Sequence, residues 1–254
     1  MSSTVFSRIL VACILVSAAA SAQGLYVETK GSGKSDPEKF WYIPQRLRSE
    51  SAGGKCTIIR LDKKMMITLD PAAKTYREMT FAEMKEMFGA SRAKLDELIK
   101  KRMESLPPEK RKEMEQRMSG MPGLGGDESK YSVDNTGETR VINGYSCAKY
   151  SLKRNGKESE VIWATADVKG MESIRKDMEQ LRTEMANVVG SRGFSEGWYT
   201  EIKGFPIQTE SHGQVRSVTH LERKSIDASM FEAPAGYTKE KTKGFGPDMG
   251  DSKD

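Results

Sequence analysis

The dipeptide Asn155-Gly156 is the feature that most constrains this chain. A two-residue type I′ turn needs positive φ at both central positions, and Asn-Gly adopts that conformation readily. The flanking residues, RVINGYSCAKYSLKR and KESEVIWAT, alternate apolar and polar side chains, so the turn predicts an antiparallel hairpin over 140–165. The turn pairs Leu152 with Ser159, Tyr150 with Val161 and Ala148 with Trp163 on one face, and Lys153 with Glu158 and Ser151 with Glu160 on the other, and two faces that each make sense in one register support that register.

The same grammar recurs on both sides. Leu25–Lys30, Phe40–Ile43, Cys56–Leu61, Met65–Leu69 and Thr75–Glu78 read as short strands. Gly31-Ser32-Gly33, Pro44, Gly53-Gly54 and Asp70-Pro71 punctuate them as a β-meander. Tyr131–Val133 resumes the β pattern, with a second turn at Asn143-Gly144. His212-Gly213 turns a last hairpin that sets Ile207 opposite Val218. Two stretches keep helical spacing instead. Thr80 and Glu83 form a capping box, followed by Met84, Phe88, Leu95, Leu98, Ile99, Met103 and Leu106 at three- and four-residue steps. Pro107-Pro108 breaks that helix and starts a second one. Met171, Ile174, Met178, Leu181, Met185 and Val188 make the other stripe.

Arg8, the apolar run Ile9–Val16 and Ala20-Ser21-Ala22 have the layout of a secretory signal peptide over 1–22, cleaved after Ala22. The apolar run is far shorter than the roughly 20 residues of a membrane span. Leu10-Val11-Ala12-Cys13 outlines a lipoprotein box. The apolar run continues past Cys13, however, which favours ordinary cleavage over lipidation there. The expected location is therefore periplasmic or secreted, with no transmembrane span once the leader is removed. The expected organisation is one antiparallel β domain over 23–238, with helical insertions near 80–119 and 170–190. Residues 120–126 read as a Gly-rich tether and 239–254 as a disordered charged tail.

Net charge is +5, of which Arg8 in the leader supplies +1, leaving +4. Basic and acidic residues are interleaved with no basic stripe, so nucleic acid is not an expected partner. In an oxidising compartment Cys56 and Cys147 form either one disulfide or two buried thiols. A bond closing so long a loop would contribute about 4–5 kcal/mol. His212 and His220 have no metal-ligand spacing around them, and no metal or other cofactor is expected. No nucleophile elbow, zinc helix, P-loop or dinucleotide fingerprint is present, and the carboxylates, Asp177-Glu179 among them, read as solvent-facing. The chain is not expected to be an enzyme. Its 15 methionines, many on the helix stripes, suit either core packing or an adaptable wall for hydrophobic ligands. Met84, Phe88, Leu95, Met178, Leu181 and Met185 are the candidate lining residues.

The run Asn143-Gly144-Tyr145-Ser146-Cys147-Ala148-Lys149-Tyr150 resembles the I-N-G-Y-x-C-x-K-Y pattern of a bacterial family of exported proteins of unknown function. Thr57–Lys64 with Leu69-Asp70-Pro71, Gly204–Ile207, Ile226-Asp227, Met230-Phe231 and Pro234–Tyr237 resemble other segments of that family. The family is distantly similar to the periplasmic lipoprotein-localisation carriers. That similarity implies an α+β fold: a curved, incompletely closed antiparallel sheet, or half-barrel, whose concave face is covered by inserted helices. It also implies a lipid or lipoprotein acyl chain as partner. The competing expectation is a non-catalytic structural or interaction module with a protein partner in the cell envelope.

Overall fold

A computed structural model describes residues 21–33, 36–119, 131–189 and 201–241. The leader up to residue 20, the tether over 120–126 and the tail from 242 onward lie outside the described residues.

Among the described residues twelve strands form one open, curved sheet, accompanied by three helices. β1 (Ser21–Gly31), β2 (Glu38–Ile43), β3 (Arg46–Glu50), β4 (Cys56–Arg60), β5 (Met65–Asp70) and β6 (Thr75–Thr80) run as an antiparallel meander. α1 (Phe81–Glu104) and α2 (Pro108–Ser119) follow. The second half adds β7 (Tyr131–Ile142), β8 (Tyr145–Arg154), β9 (Lys157–Thr165), α3 (Met171–Val189), β10 (Phe205–Ser211), β11 (Gln214–Asp227) and the short β12 (Thr238–Lys239). β1 pairs with β11 and joins the halves in the order β12-β6-β5-β4-β3-β2-β1-β11-β10-β9-β8-β7. Among the described residues no helix is long and apolar enough to cross a membrane.

The turn chemistry follows the sequence. Asn143-Gly144, Asn155-Gly156 and His212-Gly213 all have paired positive φ. The Thr80 hydroxyl accepts from the Glu83 amide at 3.1 Å, and the Glu83 carboxylate accepts from the Thr80 amide at 2.7 Å, so the capping box is complete.

The predicted register of the central hairpin does not hold. Lys153↔Glu158 forms, but a bulge then shifts the pairing to Leu152↔Glu160, Ser151↔Val161, Tyr150↔Ile162 and Ala148↔Ala164. The extra residue is Ser159, whose hydroxyl donates to the Leu152 carbonyl at 3.1 Å. A bulge of one residue moves every later side chain to the opposite face. Trp163 and Val161 therefore join the helix side of the sheet, while Ile162 and Ala164 pack with Tyr150 and Leu152 on the other.

Each face has its own core. On the helix side Leu25, Val27, Tyr42 and Leu47 pack with Phe81 and Met84 of α1 and Ile174 and Val188 of α3. On the opposite side Tyr26, Trp41, Ile58 and Ile67 are covered by Phe231, from a 3-10 turn over Ala228–Phe231. The guanidinium of Arg60, 2% exposed, fastens that cover. It donates to Asp62 at 2.8 and 2.7 Å, to the Phe231 carbonyl at 3.4 Å and to the Glu232 carboxylate. These bonds hold the Asp62 carboxyl below its ordinary range. The expected disorder from Lys239 onward is corrected at its start. β12 pairs in parallel with β6, and the Glu240 amide donates to the Tyr76 carbonyl at 2.8 Å.

β3 was not visible in the sequence, because Pro44 reads as a terminator. Instead Pro44 and Gln45 form a tight turn, with Gln45 at φ 65°. Such a conformation is unfavourable for a residue other than Gly or Asn. Asp177 of α3 stabilises it. Its carboxylate accepts from the Gln45 amide at 2.6 Å, from the Gln45 side chain, and from the Tyr42 hydroxyl at 2.8 Å. Asp177 is 4% exposed, so the expectation that it faces solvent is wrong. Its neighbour Glu179 does lie toward solvent, paired with Arg182.

Two predictions follow from this clamp. Asp177→Ala strands the Tyr42 hydroxyl and the Gln45 amide, and should cost about 2–4 kcal/mol in denaturant unfolding, against roughly 0.5 kcal/mol or less for Glu179→Ala. Equal losses would show that the clamp carries no weight. Burial, reinforced by the bond to Asp177, pushes the Tyr42 phenol up to about 12. A raised acid pKa in the folded state favours folding below the unfolded value near 10 and is lost as pH climbs toward 12. Stability should therefore fall across pH 10–12, and less steeply in Tyr42→Phe.

Candidate functional site

The helix side of the sheet holds the candidate residues. Met84 is buried in its core, and Phe88, Met178, Leu181 and Met185 pack half-buried against that core. The two helical stripes thus converge on one surface. α1 enters it from the Thr80 capping box at the end of β6. α3 is held there by the Asp177 clamp and by Lys64–Glu184 at 2.9 Å. Leu95 does not join them. It is 42% exposed, and Leu98 beside it is 56% exposed. A helix of 24 residues is about 36 Å long. Only its first turns meet the sheet, and the stripe runs on past the surface it was expected to cover.

The site is wider than the two stripes. Met66 of β5, Met87 of α1 and Met171 of α3 are also half-buried against the same core, as are Phe40 of β2 and Leu221 of β11. Five methionines, Met66, Met87, Met171, Met178 and Met185, therefore rim it. Unbranched thioether chains adjust their shape at low cost, so such a rim can repack around different apolar shapes. The sequence signalled the helix methionines through their spacing. Met66 was hidden because a strand methionine carries no periodicity of its own.

At the β7–β10 end the surface becomes polar and ordered. The Arg140 guanidinium lies 3.8 Å from the centre of the Trp163 ring. It also donates to Glu210 at 2.9 Å, and the Trp163 ring N–H donates to the same carboxylate oxygen at 3.1 Å. Gln208 adds a third donor at 2.8 Å. The group satisfies a buried indole, and its charges neutralise one another. It was missed because the predicted hairpin register put Trp163 on the wrong face.

Cys56 and Cys147 are both free and fully buried. Cys56 lies on the far face, and Cys147 on the helix side. Six strands separate β4 from β8, about 34 Å across seven strand spacings. A disulfide needs Cα atoms within about 7 Å, so the disulfide alternative is corrected to two buried thiols. Burial pushes the Cys56 thiol up to about 11 and raises Cys147 as well, which leaves both protonated and poorly nucleophilic at neutral pH. His212 sits in a turn, and His220 is an exposed neighbour of Glu222 at 3.5 Å. Among the described residues no three His, Cys, Asp or Glu side chains are grouped to hold a metal ion.

The residues of the Asn143–Tyr150 run each have a local structural task. Asn143 and Gly144 make the turn, and the Asn143 amide donates to the Val218 carbonyl of β11 at 2.6 Å. Ile142, Tyr145 and Cys147 face the helix-side core. Lys149 pairs with Glu138 at 2.8 Å, and Tyr150 is buried on the other face with its hydroxyl on the backbone of Lys203.

No curated protein matches the chain. Two solved structures of PNGF-II, in C2 and P21 space groups, match at 11% and 10% identity. Each match covers 86% of this chain and 31% of the other, with a TM-score of 0.38. The chain thus spans less than a third of those proteins. A family model, the domain of unknown function DUF4412, matches residues 98–237, from the second half of α1 to the residue before β12. That is more than half of the sequence, and the chain belongs to this family.

Proposed function

We propose that this protein is an exported, non-catalytic binding protein or carrier of the cell envelope, and that its ligand is a lipid or another hydrophobic molecule such as a lipoprotein acyl chain. The observation that carries the reading is the methionine-rimmed helix side of the sheet. Its central side chains are buried, while Phe88, Met178, Leu181, Met185 and Met66 around them stay half-buried. A rim of partly buried apolar side chains suits an apolar guest, because each guest methylene removed from water contributes about 0.8 kcal/mol. The open, curved sheet with α1 and α3 on one side supports a half-barrel whose concave face the helices cover. The leader-like N-terminus supports export to the periplasm or beyond.

A second reading has its own observation. The uncovered stripe of α1, Leu95 and Leu98, favours an interaction module in which the helix meets an envelope protein and no small ligand is bound.

The two readings separate by experiment. The protein purified from the periplasm without detergent should carry a defined lipid near one-to-one by native mass spectrometry. Met178→Gln with Met185→Gln should lower uptake of a fluorescent fatty acid at least fivefold while lowering the free energy of unfolding by no more than about 3 kcal/mol. Leu95→Gln should leave uptake unchanged. A protein that stays empty after incubation with envelope lipids sinks the carrier reading and favours the interaction module.

A further inference from the structure

The tip of the β7–β8 hairpin stands apart from the sheet. β8 pairs with β9 as far as Ala148↔Ala164. Beyond that point, among the described residues, Tyr145, Ser146 and Cys147 pair with β7 alone, through Ile142, Val141 and Arg140. Residues 140–147 therefore form a two-stranded ribbon, and β7 is the outer edge of the sheet among the described residues. A two-stranded ribbon is marginal by itself in water. Its base is irregular: the register shifts between Asn135 and Thr139, and Gly137 in between has φ 78°. A bulge there bends the strand and breaks its ladder.

What holds the ribbon down lies at its tip and on its underside. In a flat sheet the tip would sit three to four strand spacings from β11, roughly 14–19 Å. Yet the Asn143 amide reaches the Val218 carbonyl at 2.6 Å, so the ribbon curls over the helix side. Ile142 and Cys147 are buried beneath it, while Val141 on its upper side is 74% exposed. Arg140 adds the contact with Glu210 and the stack on Trp163.

We infer that residues 140–147 are a flap, hinged at the Asn135–Thr139 bulge and latched by the Asn143 side chain on the Val218 carbonyl, which opens as a unit to uncover the Trp163, Ile207 and Val218 side of the sheet. The movement stands whether or not that face takes a hydrophobic ligand, since its test needs none.

The two cysteines are built-in reporters. Cys147 is buried under the flap, and Cys56 is buried on the far face within the regular meander. The full chain is labelled with a maleimide under native conditions, and each cysteine is read by peptide mass spectrometry. Asn143→Asp keeps a residue that suits the turn, but its carboxylate cannot donate and faces a carbonyl. It should speed labelling of Cys147 about tenfold and leave Cys56 unchanged. Arg140→Gln, which touches neither turn nor latch, should speed Cys147 severalfold, and it carries the test if Asn143→Asp does not fold. Amide exchange over residues 140–147 should rise in the same variants. The flap is overturned if Cys147 and Cys56 accelerate together, which marks global opening, or if Cys147 labelling does not change in either variant.

Discussion

One buried carboxylate sets the relation between the helix layer and the sheet. Asp177 receives three hydrogen bonds from Tyr42 and Gln45 and gives α3 its position over the sheet. A carboxylate in an apolar core is unfavourable unless its lone pairs are filled, and here neutral donors fill them. The arrangement is reciprocal. Gln45 holds a left-handed conformation that Gln does not favour, and its amide and side chain are bound by the group it helps to bury. The turn, the helix and the methionines that α3 presents therefore depend on one another. The apolar face of α3, with Ile174 and Val188 buried, supplies the bulk of its packing, and the Asp177 bonds add the directional contact that fixes its place.

Where local chemistry decided the outcome, the sequence was a sufficient guide. Three X-Gly turns, the Thr80 capping box and the Pro107-Pro108 break depend on residues within four positions of each other, and all appear as read. The failures arise where a distant residue or a single insertion decides. Ser159 looks like any polar strand residue, yet as a bulge it reverses the faces of Val161 to Ala164. Pro44-Gln45 lacks the glycine that announces a turn, because Asp177, 132 positions away, supplies the stabilisation. Asp177 read as a solvent-facing charge, and nothing in the strand pattern marked Arg60 as buried. Their burial depends on partners from the C-terminal segment and from the meander, which no local pattern can disclose.

The candidate surface was legible to the same degree. Of the six candidate lining residues chosen from helical spacing, five meet on the helix side of the sheet. The spacing could not say where the sheet ends beneath α1, and so it included Leu95. Periodicity reports that a helix has an apolar face but not the length over which a neighbour covers it. It was blind as well to the strand contribution from Met66 and to the Arg140, Trp163 and Glu210 group, which needs three strands in a known register before its members can be recognised as neighbours.

The residues of the Asn143–Tyr150 run are engaged in holding the fold. Its side chains turn a hairpin, tether it across the sheet, pack its underside and satisfy a buried hydroxyl. None presents a nucleophile or an ionisable group in an activating environment: its cysteine is buried with its pKa raised, and its lysine is paired with Glu138. A segment composed this way specifies where a ribbon lies relative to an apolar face. The methionines of α1, α3 and β5 at the rim of that face are adaptable in shape and make weakly directional contacts. Strict geometry at the ribbon therefore stands beside compliant side chains at the rim.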